Sequence, residues 1–199
     1  MINYTDRLNY AICVAARAHE KQGQHRKGTD IPYIIHPFGV MLIASNVTDD
    51  EDVLIACLMH DVLEDVASDI YSEDAMRRDF GDNVVAMVKD VTKDDTEKNW
   101  RKRSEVYLTH LEHEASDGAV VVSASDKLQN LLTTLVDLEI HGEALWQRFT
   151  TKSGEDQLWW YQSILTVIER RSAPAALVAQ LADAVSELSA KLPDTAGNE

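Results

Sequence analysis

Apolar residues recur at three- and four-residue intervals along most of the chain, and little interrupts them. Only eight glycines and four prolines are spread over 199 residues. Side chains three and four apart share a helical face, so this spacing demands amphipathic helices. Leu8, Ala11, Ile12, Ala15, Ala16 and His19 form one such face, with Thr5 or Asp6 as its cap. A polar loop, QGQHRKGTDIPY, follows. The next helix starts at His36-Pro37, where proline is tolerated, and ends near Val47. Asp49 or Asp50 caps a third helix through Val53, Ala56, Cys57 and His60 to about Glu64.

Short helices over 72–80 and 84–91 flank Gly81. A long charged helix covers 96–114. An apolar one covers 119–138, where the three valines at 120–122 are the one plausible strand. Two tryptophan-bearing helices follow, and adjacent Trp159 and Trp160 cannot both face inward. Over 175–192, Leu177, Leu181, Ala184 or Val185, Leu188 and Leu192 make one stripe. It packs on the chain's own core or forms a homodimer seam, and it is too short for a coiled coil. The expectation is one all-α helical bundle over 1–192 with a frayed tail over 193–199.

The net charge of −15 and pI near 4.8 argue against nucleic-acid polymers and anionic membranes as partners. Cys13 and Cys57 fall in apolar helical patterns and read as buried thiols, without zinc spacing. The opening MINYTDRLNY is too polar for a signal peptide. The longest uncharged run, 31–48, is broken by His36-Pro37 and Gly39, so it is no membrane span. A cytoplasmic protein is the expectation.

The chemistry concentrates in CLMHDVLEDV. On a helix His60 lies one turn from Glu64, and Asp61 one turn from both Glu64 and Asp65. Burying four such groups among apolar neighbours is costly unless a cation or hydrogen bonds compensate. His36 upstream and Asp126 downstream complete two imidazoles and two carboxylates with His60 and Asp61. That mixed nitrogen and oxygen set suits Mn, Fe or Zn better than Ca. Such an ion lowers the pKa of bound water and polarises phosphoryl oxygens. Glu64 and Asp65 are then left for proton transfer.

The runs AHEKQGQHRKGTDIPYIIHP, CLMHDVLEDV, DFGDNVVAMVKDVTK and SDKLQNLLTTL stand in an order that resembles the HD-superfamily (p)ppGpp hydrolases. These comprise the hydrolase domains of RelA/SpoT proteins and the stand-alone, Mesh1-type alarmone hydrolases. The resemblance spans about Ala11 to Leu135. It implies an all-α fold and one Mn2+ on His36, His60, Asp61 and Asp126. Glu64 and Asp65 would activate water and assist departure of the 3′-oxygen. Arg26 and Lys27 would line the base pocket, Asn130 and Thr133 would contact the sugar, and Tyr161 would close over the nucleotide. Phosphate contacts fall to Lys27, Lys127 and the cluster Arg101, Lys102 and Arg103, which otherwise pairs with Glu97 and Glu105 on a solvated face. RelA/SpoT proteins usually read DRLHN where this chain has DKLQN, which puts Gln129 near the base.

The activity implied is release of pyrophosphate from the 3′-diphosphate of ppGpp or pppGpp, leaving GDP or GTP. A hydrolase without synthetase activity is the expectation, since no synthetase fits in the remaining residues. An adenine alarmone or another nucleotide would fit the same site, and a non-catalytic nucleotide-binding regulator is the rival from another class.

Overall fold

The computed structural model describes residues 3–93 and 96–192, so the expected tail at 193–199 lies outside the described residues. The helices run α1 (Asp6–Gln22), α2 (Ile35–Ala44), α3 (Glu51–Met59), α4 (Val62–Asp65), α5 (Glu73–Phe80), α6 (Asp82–Val91), α7 (Trp100–His113), α8 (Asp117–His141), α9 (Gly154–Arg170) and α10 (Ala175–Lys191). A 3-10 segment at Gly142–Arg148 precedes α9. Among the described residues there is no strand, only an isolated bridge between His25 and Pro32. None of their helices is long and apolar enough to cross a membrane.

Helix starts follow capping chemistry. Thr5, Asp50, Ser72, Asn99, Ser116 and Ser153 each accept a backbone N–H of the first turn. Asn99 makes α7 begin later than the charge pattern predicts. The valines at 120–122 are helical near the start of α8, where burial of Val120 and Val122 outweighs their preference for strands.

The third predicted helix is two. It stops at Met59, and the chain turns through His60 and Asp61 before α4. His60 Nδ1 bonds the Cys57 carbonyl at 2.8 Å, and Asp61 lies at φ −91°, ψ −6°.

The long α8 is the central post, packed against α2, α3, α6, α9, α10 and the 3-10 segment. Leu58, Leu128, Leu131, Ile164 and Leu177 are fully buried in the core. Each such side chain contributes about 1.5–3 kcal/mol over leaving it in water. Leu177, Leu181, Ala184, Val185 and Leu188 are all buried within the chain's own bundle, so that stripe packs on the core. Trp160 is buried and Trp159 half-buried. Cys57 is buried, while Cys13 is only half-buried, and both are free.

Candidate metal centre and its cavity

Three separate stretches bring the expected ligands together. His36 sits in the first turn of α2, His60 and Asp61 at the α3–α4 junction, and Asp126 midway along α8. His36, His60 and Asp126 each offer a ligand atom, all within 4.8 Å of one another, and all three residues are buried. The two Nε2 atoms are 3.2 Å apart. Asp126 Oδ1 lies 3.2 Å from His36 Nε2 and 3.7 Å from that of His60. Asp61 Oδ2 is 3.0 Å from His60 Nε2 and 3.5 Å from His36 Nε2.

Outer contacts orient this set. His36 Nδ1 meets Gln129 Oε1 at 2.5 Å. With His60 Nδ1 on a carbonyl, both rings carry their protons outward and aim Nε2 at the cluster centre. Tyr33 donates its hydroxyl to Asp61 Oδ2 at 2.7 Å. Asn130 donates to Asp126 Oδ1 at 2.6 Å, and Lys127 pairs with the other oxygen.

Burial alone would lower the imidazole pKa values, but Asp61 and Asp126 outweigh it and hold both rings above their ordinary value. Burial would raise the two carboxyl groups. For Asp61 the imidazoles, and for Asp126 Lys127 together with the imidazoles, outweigh it, so both fall well below the usual range. A field that favours protons on two neighbouring imidazoles favours a divalent cation between them, so the donor set fits a metal.

A cavity of about 570 Å³ opens above the cluster. Tyr33, Lys127, Gln129 and Asn130 line it, and each touches a ligand residue. Arg26, Lys27, Thr133, Tyr161 and Asp65 also line it. Arg26 donates to Asn130 Oδ1 at 3.1 Å, which connects the loop through Asn130 to Asp126. Thr133 receives Gln129 Nε2 at 3.1 Å. Tyr161 is buried, and burial pushes its hydroxyl up to about 12.

The loop that carries Arg26 is tightly folded, with Arg26 N–H on the Ile31 carbonyl, Tyr33 N–H on the Gln24 carbonyl, and Gly28 at φ +76°. A larger hollow of about 820 Å³ lies beside α6 and α7 and shares Lys93 with this cavity.

Glu64 and Asp65 part company. Asp65 faces the cavity, and burial with the charges of Asp61 and Glu64 raises it to about 6. Glu64 is exposed, and its Oε2 accepts the Lys93 N–H at 3.1 Å. Arg101 pairs with Glu105 and stacks on Trp159, and Lys102 pairs with Glu97, so both are held at the surface of α7.

Sequence reasoning missed three contributors and gave Gln129 only a place near the base. Tyr33 stands in the IPYIIHP run, and a tyrosine three residues before a ligand histidine was a usable signal. Gln24 bonds both His19 Nδ1, at 2.6 Å, and Asp65. Gln129 reaches His36 as well as the cavity. Lys93 ends the DVTK run and lines the cavity. His19 packs as expected: it is buried, and its ring lies 4.8 Å from that of Tyr33.

A buried His-His-Asp cluster joined by a neighbouring Asp, in a helical bundle, defines a class, and residues 11–154 match the HD domain. The chain belongs to the HD-domain family. Within it, the chain is 32% identical over 158 residues to the guanosine-3′,5′-bis(diphosphate) 3′-pyrophosphohydrolase MESH1 of Drosophila melanogaster, covering 77% of this chain and 80% of that one. It is 37% identical over 120 residues to the enzyme of that activity from Aquifex aeolicus, over 60% of this chain but only 17% of the relative. A solved structure described as a metazoan ortholog of SpoT that hydrolyzes ppGpp matches with a TM-score of 0.74 and 25% identity, over 94% of this chain and 98% of that one.

Proposed function

We propose that this chain is a metal-dependent pyrophosphohydrolase acting on the 3′-diphosphate of ppGpp or pppGpp, releasing pyrophosphate and GDP or GTP. The carrying observation is the buried cluster of His36, His60 and Asp126, with Asp61 beside it, under a cavity lined by Arg26, Lys27, Lys127 and Asn130. The names of the relatives agree with that reading.

His36, His60, Asp61 and Asp126 would hold one Mn2+. When bound, the ion supplies Lewis acidity toward water and the phosphoryl oxygens. Asp65, raised to about 6, is ionised at neutral pH yet basic enough to accept the proton of the attacking water. Glu64, tied to the Lys93 amide, would assist departure of the 3′-oxygen. Arg26 and Lys27 would face the base, Asn130 and Thr133 the sugar, and Tyr161 would form the cavity wall behind the nucleotide.

The test is a turnover panel of guanine and adenine 3′-diphosphates and plain nucleotides, with and without Mn2+. Expected is Mn2+-dependent release of pyrophosphate from the guanine substrate and no release by Asp126→Ala. Tight alarmone binding without turnover in Mn2+ would replace this reading with that of a regulator.

A further inference from the structure

Lys93 is a cation for which burial and the charge of Lys127 outweigh the attraction of Glu64 and Asp126. It follows α6 at the wall of the cavity that also holds Asp65, Lys127 and Arg26. Its ammonium lies 4.3 Å from the Trp160 ring centre and 5.5 Å from that of Tyr107. Lys127 stands over the same two rings, at 5.8 Å and 5.5 Å. One aromatic pair thus carries two ammonium groups. Lys127 is neutralised by Asp126, whereas among the described residues no carboxylate pairs with Lys93 within 4.0 Å. Ring faces attract each cation, but they do not cancel the repulsion between them. Burial and the charge of Lys127 push the Lys93 ammonium down to about 8. A multiply charged anion seated against both groups would remove that tension.

The position says which anion. Lys127 and Asn130 both touch Asp126, at the metal end of the cavity, whereas Arg26 reaches Asp126 only through Asn130. The backbone N–H of Lys93 also holds Glu64. We propose that Lys93, with Lys127, forms a subsite for the leaving pyrophosphate. The identity of that anion rests on the hydrolase reading above; the two-lysine arrangement does not.

The test titrates inorganic pyrophosphate into the full chain by calorimetry, with Mn2+ equal in cell and syringe and GDP as the control ligand. Lys93→Met keeps the apolar stem on the rings and removes the charge, and Lys93→Arg restores it. Expected is a loss of about tenfold in pyrophosphate affinity for Lys93→Met, the scale of one charge-assisted contact, with Lys93→Arg within about threefold of the parent and GDP binding unchanged. Unchanged pyrophosphate binding in Lys93→Met would overturn the subsite. So would an equal loss for GDP, or no recovery in Lys93→Arg, since either marks a purely structural role. If Lys93→Met does not fold, Lys93→Gln against Lys93→Arg decides on the same criteria. Loss of pyrophosphate binding in a chain that turns over no alarmone would leave the subsite standing and remove only the hydrolase reading.

Discussion

Each candidate ligand is held by a partner outside the cluster, and those partners would set how well the cluster can bind an ion. Tyr33→Phe removes the donor to Asp61 and keeps the ring against His19. Loss of such an outer contact lowers metal affinity by about 10–100-fold. Calorimetric Mn2+ titration should show a drop of about tenfold with an unchanged helical spectrum, and an unaltered Kd would refute the assigned role. Asp65 gives a second prediction, from its charge. Its folded-state pKa of about 6 lies above the ordinary 3.8, so ionisation opposes folding. Its favourable contribution is complete below the lower value and is lost as pH rises through the upper one. Metal-free Asp65→Asn should therefore melt higher than the parent at about pH 7.5, with the gap closing below about pH 4. The meeting of His36, His60 and Asp126 was legible in the sequence because His and Asp inside apolar helices need compensation. Tyr33, Gln24 and Lys93 were not, because their partners lie far along the chain and only folding joins them.

Elements were legible where local chemistry decides them. Thr5, Asp50 and Ser72 announce helix starts through their own side chains, and Gly81 marks the break between α5 and α6 at φ +90°. The division between α3 and α4 was not legible, because the apolar pattern runs unbroken through CLMHDV. It is a tertiary feature: Asp61 is paid for by contacts with Tyr33 and both imidazoles rather than by helix geometry. The approach of α2 to α8 is also set between elements. A Cβ at Gly39 would stand 3.2 Å from Gln129 Cγ, and Gln129 is held at both His36 and Thr133, so it has little room to yield. Gly39→Val should displace that amide from His36 Nδ1. Mn2+ affinity should fall by about tenfold, with far less change in melting temperature. Equal Kd values for parent and variant would show that Gln129 does not orient the ring.

Across the whole molecule, charge and mechanics meet at the same place. A chain of net charge −15 repels a polyphosphate at long range, yet Arg26, Lys27, Lys93, Lys127 and Arg148 all line one cavity against Asp65 and Asp137. The local field there opposes the global one. Composition reports only the sum; the resemblance supplied Arg26, Lys27 and Lys127, and folding adds Lys93 and Arg148. The cluster beside it joins α2, the α3–α4 junction and α8, elements that otherwise meet through apolar packing. An ion held by His36, His60, Asp61 and Asp126 would act as a cross-link among them, and it would bind the folded chain far better than the unfolded one. At a hundredfold excess over Kd, such linkage adds about 2.7 kcal/mol. For a domain of this size, each kcal/mol moves Tm by about 2–4 °C, so saturating Mn2+ should raise Tm by roughly 5–10 °C. Chelation should return the protein to its lower value reversibly. Asp126→Ala should show no rise at any Mn2+ concentration, while Asp65→Asn, which keeps all four ligands, should still respond. A similar rise in Asp126→Ala would place the ion elsewhere in the molecule.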